Sequence, residues 1–513
     1  MNRKQMLQNA ALITTVSLAL RAAGMAYRVY TAGKVGAAGL GLYTLVQSAF
    51  SFAVTLSTAG ISTAVTRLVS EDMARRVHNR RVLLVSMLYA VGLGCTAGTG
   101  LWFLADFVGE TLLRDIRTAL SLRILAPALP FMAAAACLKG YFYAQRRAWL
   151  PATADVVEQG VEIAVFASIV GSMAPRGIEY GCAAIVIGTT ASELMSCAYL
   201  LLFYRLRRTR SRECERTGVL RRLTKIAVPV SATACLGSGL RTVENALIPA
   251  GLRRYGMDSD HALSQYGMVR GMALPLLFFP AALISAFSAL MIPEISEARV
   301  KDGAVSMHGA ICRVLQACLL LSILVTAVFM TFSEELGLLV YDSAEVGKLL
   351  LYLAPLIPMM YLDAVVDGML KGLDRQLSVL RCNLVDSLIR VAMVLILVPV
   401  FGFHGFIVVM YISNILDPAV SLVMLLRVTG IGLKTADWVL KPTLCAALAG
   451  FTMKLFDRVG ELGIYEYGWG VTLGITVMAL LYIGLLFACS ALEMRDVRWV
   501  GRILGSGKNG ILS

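Results

Sequence analysis

A small set of ionisable side chains lies inside stretches of sequence that are otherwise apolar. The cations are Arg21, Arg28, Arg241, Arg270 and Arg390; the anions are Glu158, Glu162, Glu193, Glu244, Asp363, Asp367, Asp386 and Asp417. An ionised group at the centre of a bilayer costs at least ~2.5–3.5 kcal/mol on insertion scales, so each must meet a cavity or a partner. Arg21 and Arg28 are seven residues apart, two turns along one helical stripe. Glu158/Glu162, Asp363/Asp367 and Asp386/Arg390 are spaced i,i+4, and Arg241/Glu244 i,i+3, distances at which helical side chains meet. Arg241/Glu244 and Asp386/Arg390 can neutralise themselves and are read as structural ion pairs. The doublets Glu158/Glu162 and Asp363/Asp367 cannot: each needs an arginine from elsewhere, a bound cation or a shared proton, which makes them candidate cavity or ion-coupling carboxylates. Arg21, Arg28 and Arg270 carry planar forks that grip phosphate bidentately and stay charged when buried. They either bind an anionic, phosphorylated head group in a wet cavity or pair with the doublets and hold two halves of the protein together.

These groups need a membrane-spanning scaffold. Of 513 residues 58% are apolar and 16% charged, where a soluble chain has ~45–50% and ~25%. With about 20 residues needed per crossing, the apolar runs between charge clusters give fourteen candidate transmembrane helices, continuous rather than alternating and so not a β-barrel. The first two runs are 9–33 and 39–66; 378–401 and 403–426 are separated only by Phe401–His404. The expected class is therefore an all-α, multi-pass membrane protein. With the N-terminus inside, 31 of the 47 Lys and Arg fall on inner segments and 8 on outer ones, which places both termini in the cytoplasm. The net charge of +14 then reflects topology. The run Arg205–Arg210 follows a crossing and is a retention signal for anionic lipid rather than a nucleic-acid patch. Arg21 interrupts the first apolar run, which argues against a cleaved signal peptide. The 11 Cys and 4 His form no CxxC or ligand cluster, so neither metal nor disulfide chemistry is expected, and no cofactor.

A shift of 228 residues aligns Leu125-Ala126-Pro127-Ala128-Leu129-Pro130-Phe131-Met132 with Leu353-Ala354-Pro355-Leu356-Ile357-Pro358-Met359-Met360, with ten identities across 125–164. The same register sets Gly140 on Gly368, Arg147 on Arg375 and Glu158 on Asp386. The repeat is six helices, so both halves enter the membrane in the same direction. Parallel repeats of this kind belong to alternating-access carriers with a site between the halves. The expected organisation is a six-helix lobe at 1–208, a second at 209–430, and two further helices with a cytoplasmic tail at 431–513. Pro127, Pro130, Pro275, Pro280, Pro355 and Pro358 lie mid-membrane, as structural kinks or as hinges.

Several stretches carry a resemblance. Arg21-Ala22-Ala23-Gly24-Met25-Ala26-Tyr27-Arg28 is followed by Val35-Gly36-Ala37-Ala38-Gly39-Leu40-Gly41-Leu42-Tyr43, then Leu56–Ile61 and Arg67-Leu68-Val69-Ser70-Glu71. Later come Pro280-Ala281-Ala282-Leu283 and Leu290-Met291-Ile292-Pro293-Glu294-Ile295-Ser296-Glu297. Together they resemble the stage V sporulation protein B family of polysaccharide flippases, in the superfamily of multidrug, oligosaccharidyl-lipid and polysaccharide exporters. The resemblance implies a V-shaped pair of six-helix lobes that flips an undecaprenyl-pyrophosphate-linked saccharide across the plasma membrane by alternating access. The implied cargo is a peptidoglycan precursor of the lipid II type, for spore cortex or cell wall. In the related lipid II flippases, first- and eighth-helix arginines line the cavity, and Arg21, Arg28 and Arg270 occupy the matching places. Those flippases space the first two arginines six apart; here they are seven apart. Helices 13 and 14 would form a groove for the lipid tail. Coupling to Na⁺, H⁺ or the membrane potential, and association with cell-wall synthesis enzymes, stay open.

The competing function is a cation-coupled multidrug antiporter on the same scaffold, using Glu158, Glu162, Asp363 or Asp367; the arginines would repel its cargo. An embedded glycosyltransferase is disfavoured because the longest outer gaps, near 106–118 and 333–346, are short, so no enzymatic activity is expected.

Overall fold

The computed structural model describes residues 3–74, 80–206, 218–282, 284, 303–373, 375–432, 435–460 and 468–492. The motif from Leu290 to Glu297, most of the Arg205–Arg210 run and the basic tail lie outside them. Among the described residues every regular element is helical. They are α1 (Arg3–Thr58), α2 (Ile61–Ala74), α3 (Arg80–Phe103), the short α4 (Ala105–Phe107), α5 (Thr118–Leu125), α6 (Ala128–Ala144), α7 (Trp149–Met173), α8 (Ile178–Leu206), α9 (Val219–Arg254), α10 (Ser259–Gly267) and α11 (Leu274–Phe278). Then follow α12 (Gly303–Thr331), α13 (Ser333–Tyr341), α14 (Ala344–Leu353), α15 (Ile357–Gly372), α16 (Gln376–Thr429), α17 (Lys441–Gly460) and α18 (Gly468–Ala488). Ten helices are long and apolar enough to cross a membrane, or eleven if the bent pair α5 and α6 is one span. The chain is a multi-pass plasma-membrane protein.

Two of the longest helices are broken by a glycine in the left-handed region. Gly36 (φ 76°) interrupts α1 and Gly402 (φ 58°) interrupts α16, conformations that cost other residues steric strain. Both breaks fall in the gaps that separate adjacent apolar runs in the sequence. The second run, 39–66, is itself divided: α1 stops at Thr58 and α2 resumes at Ile61, with Gly60 at φ 72° between them. The aligned proline motifs also fold alike at first. Pro127 separates α5 from α6, which are bent by 45°; Pro355 lies in a single 3₁₀ turn, Ala354–Leu356, between α14 and α15. A proline lacks the N–H that would continue the helix.

The described residues form two compact units. The larger draws on 15–271 and 387–409, the smaller on the residues before 15, 272–386 and those from 410 onward. In the larger unit the main apolar core gathers Ile61, Leu68, Leu83, Leu138, Phe142, Leu150, Leu200 and Leu223. A second cluster packs Phe166, Val170 and Ile185 against Tyr27, Val35 and Tyr43. The smaller unit has one core around Leu315, Val366, Leu425 and Trp438 and another around Phe332, Ala449, Met478 and Tyr482.

Within the larger unit α1 and α10 meet backbone to backbone. A Cβ added at Gly267 would lie 2.0 Å from the Ala37 carbonyl oxygen and 3.0 Å from the Gly41 Cα. Small residues permit such close approach of helices in a bilayer, where packing replaces the hydrophobic effect. Gly267→Val should therefore force the helices apart and lower stability by about 1–3 kcal/mol, the usual range for overpacking. The unfolding midpoint of the detergent-purified variant checks this; a midpoint equal to wild type would show that the seam is looser than its geometry indicates.

Candidate functional site

Asp155, Glu158, Gln159 and Glu162 recur at three- and four-residue steps and so share one face of α7. That face, together with Leu20, Gly24, Tyr27, Arg28, Thr31, Leu40 and Tyr43 of α1 and Ile185 of α8, encloses a cavity of about 340 Å³. The cavity lies wholly within the larger unit. Its carboxylates are compensated by a lysine: Lys139 Nζ of α6 donates to Asp155 Oδ1 at 2.7 Å and lies 3.5 Å from Glu158 Oε2. Thr189 Oγ1 donates to Glu162 Oε1 at 3.0 Å. Glu193, one turn further along α8, is within electrostatic reach of Glu158, Lys139 and Glu162. The aromatic wall is held edge to face, with the Tyr27 and Phe166 ring centroids 5.5 Å apart. The Tyr27 hydroxyl is buried and has no hydrogen-bond partner among the described residues.

The three candidate phosphate-binding arginines fall in different surroundings. Arg28 lines the cavity within electrostatic reach of Glu162, and makes no ion pair within 4 Å among the described residues. Arg21, exposed like Arg28, stands outside the cavity lining, although its neighbours Leu20 and Gly24 are part of it. Arg270 sits on the π-helical turn Met268–Ala273, an irregularity that concentrates at functional sites. Its Nη2 donates to Glu244 Oε1 at 2.7 Å.

Glu244 is also 3.6 Å from Arg390 Nη1, which replaces the expected Arg241/Glu244 pair. Residues three apart diverge by roughly 60° around a helix; Glu244 takes the buried face of α9 and Arg241 is left exposed. Asp386, buried in the smaller unit, accepts from Ser413 Oγ at 2.9 Å. In that unit the other doublet is also served by a lysine. Lys371 Nζ lies 3.5 Å from Asp367 Oδ2, which accepts from Asn383 Nδ2 at 3.3 Å, while Asp363 stands one turn earlier on α15. One acid of each doublet, Glu158 and Asp367, thus lies beside a lysine, a partner that the sequence reading did not name. Lys139, Asp155, Gln159, Tyr27 and Tyr43 are site residues that the sequence reading passed over. A lysine amid Cys137-Leu138 and Gly140 in an apolar run is the one signal that could have drawn attention to this face.

Lys139 supports two acids, so Lys139→Met should lower stability by about 1–2 kcal/mol, less than a fully buried pair because Asp155 is 44% exposed. Adding Asp155→Asn should return part of the loss; strictly additive losses in the double-mutant cycle of unfolding midpoints would deny the coupling.

Comparison with known proteins places this geometry in a family. Stage V sporulation protein B of Bacillus subtilis (strain 168) is 24% identical over 522 residues, covering 98% of this chain and 100% of that one. Among solved structures, lipid II flippase MurJ in its inward closed conformation superposes with a TM-score of 0.71 at 14% identity, over 93% of this chain and 98% of that one. An inward-facing multidrug resistance MATE family transporter of the MOP superfamily gives a TM-score of 0.61 at 15% identity, over 80% and 94%. The fold is that shared by MurJ and the MATE transporters. The family model described as polysaccharide biosynthesis protein matches residues 6–299, more than half of the sequence, and the chain belongs to that family.

Proposed function

We propose that the chain is a flippase, not an enzyme, and that it moves an undecaprenyl-pyrophosphate-linked saccharide across the plasma membrane by alternating access. Its cargo is a peptidoglycan precursor of the lipid II type, destined for spore cortex or cell wall. The observation that carries this reading is Arg28: an exposed guanidinium on a membrane-spanning helix that lines a cavity and is unclaimed by any carboxylate within 4 Å among the described residues. A cation that faces a cavity within a membrane-spanning scaffold marks a route for an anion, and its fork suits a phosphate. Arg21 and Arg270 complete the pyrophosphate-binding set. The names of the relatives, a sporulation protein and a lipid II flippase, agree with that cargo class.

The proposed architecture has fourteen crossings with both termini cytoplasmic. Breaks at Gly36 and Gly402 each divide one long helix into two crossings, and residues from Ser259 onward supply another. Two six-helix lobes, 1–208 and 209–430, form a V and rock against each other; 431–513 adds two helices that shelter the lipid tail. Asp363 and Asp367, with Glu158 and Glu162, are the carboxylates through which Na⁺, H⁺ or the membrane potential would drive the cycle. Cell-wall synthesis enzymes receive the product.

A cation-coupled multidrug antiporter is the second reading, and the acid-rich wall of the cavity, Asp155, Glu158 and Glu162, favours it. One experiment separates the two. Protein reconstituted in vesicles is offered labelled undecaprenyl-pyrophosphate-disaccharide-peptide or a quaternary ammonium dye. The flippase translocates the first and ignores the second. Arg28→Glu should cut lipid translocation by about tenfold or more, the worth of one charged hydrogen-bonded fork, at unchanged protein abundance. Dye transport without lipid transport would select the antiporter.

A further inference from the structure

Glu162 and Arg28 face the same cavity and lie within electrostatic reach of each other, yet they do not meet: no ion pair within 4 Å joins them. Glu162 is held from the far side. Thr189 Oγ1 of α8 donates to its Oε1 at 3.0 Å, and its stem lies against Gly188, where an added Cβ would stand 3.6 Å from the Glu162 Cγ. Lys139 serves the other two acids instead, 2.7 Å from Asp155 and 3.5 Å from Glu158, and is not itself part of the lining. The lining therefore presents one guanidinium, three carboxylates and the phenols of Tyr27 and Tyr43. A head group that carried a diphosphate alone would meet one cation and be repelled by the acids around it, an effect that a low-dielectric surrounding strengthens. A head group that also carries an ammonium would set its anion on Arg28 and its cation on Glu162. Phenol rings beside a carboxylate suit an ammonium, which their faces attract by about 0.5–2 kcal/mol. A metal ion fits the site less well, because among the described residues no three acidic, His or Cys side chains converge to hold one.

We infer that Glu162 is an ammonium-binding residue of the cargo site, and that the lipid this protein moves bears a free primary amine on its saccharide or on a peptide branch of it. The inference rests on the flippase reading and narrows its cargo to lipids that carry both signs of charge. Glu162 touches the amine; Thr189 is a positioning residue that aims the carboxylate. The amine need not lie beside the diphosphate. Glu158 and Asp155 continue the acid row from Glu162, and the seven residues from Asp155 to Glu162 span roughly 10 Å of α7. Separation of Arg28 from Glu162 is what makes the site selective: had the two closed on each other, neither charge would be left to read a ligand.

The test measures binding of two pairs of lipids to purified protein in phosphatidylcholine nanodiscs. The first pair is undecaprenyl-pyrophosphate-disaccharide-peptide with its peptide amine free or N-acetylated. The second lacks the peptide and carries a 2-amino or a 2-acetamido sugar, so the two arms separate an amine on the branch from one on the saccharide. In at least one arm wild-type protein should bind the free amine about tenfold more tightly than its acetylated partner, the span of one charged hydrogen bond. In Glu162→Gln the ratio in that arm should fall to about one. Equal affinities within both pairs for wild-type protein overturn the amine site and leave the flippase intact, and this comparison decides the matter even if Glu162→Gln fails to fold. A tenfold preference that survives in a folded Glu162→Gln overturns the role of Glu162. Wild-type protein that binds none of the four lipids overturns the flippase reading as well.

Discussion

The interior of this protein is organised by the expense of holding charge away from water. Several of its charges meet partners on other helices, and those pairings decide which helices must lie side by side. Lys139 ties α6 to α7 through Asp155 and Glu158. Glu244 ties α9 to the π-turn and to the 387–409 stretch of α16. In the smaller unit Asp386 engages Ser413 within α16, and Asp367 bonds Asn383 across from α15. Apolar packing alone would fix these contacts poorly, because lipid tails compete with Leu and Val for the same surfaces. Polar pairs have no such competitor, and they give the bundle its register.

Within that frame one guanidinium stands apart. Arg28 shares a cavity with three carboxylates yet sits within 4 Å of none of them among the described residues, and the acids beside it are drawn toward Lys139 and Thr189 instead. The lysine thus has an indirect effect on the arginine: by engaging Asp155 and Glu158 it keeps them from neutralising Arg28. At Glu244 one carboxylate is shared between two arginines, Arg270 and Arg390, from different elements.

The helical class, the membrane setting and the breaks between adjacent spans were legible from the chain alone, because continuous apolar runs and gap glycines are local signals. Gly36 and Gly402 stand between runs that hydropathy separates, and Pro127 and Pro355 each mark a helix interruption. Partnerships among the charges were harder to read. Sequence spacing shows only who is near along one helix, so Arg241 was matched with Glu244 when the true neighbours, Arg270 and Arg390, come from residues 26 and 146 positions away. Lys139 was passed over for the related reason that a lysine in an apolar run has no neighbour of opposite charge on its own helix; Asp155 and Glu158 reach it only after α6 folds against α7.

The seam between α1 and α10 has one last implication. Interlocked side chains resist separation because each must be withdrawn from a socket. Gly41 and Gly267 present bare main chain to one another, so no side chain stands between the two ribbons at that point. Such a junction tolerates no added atom, so its closeness depends on the fit of the two ribbons.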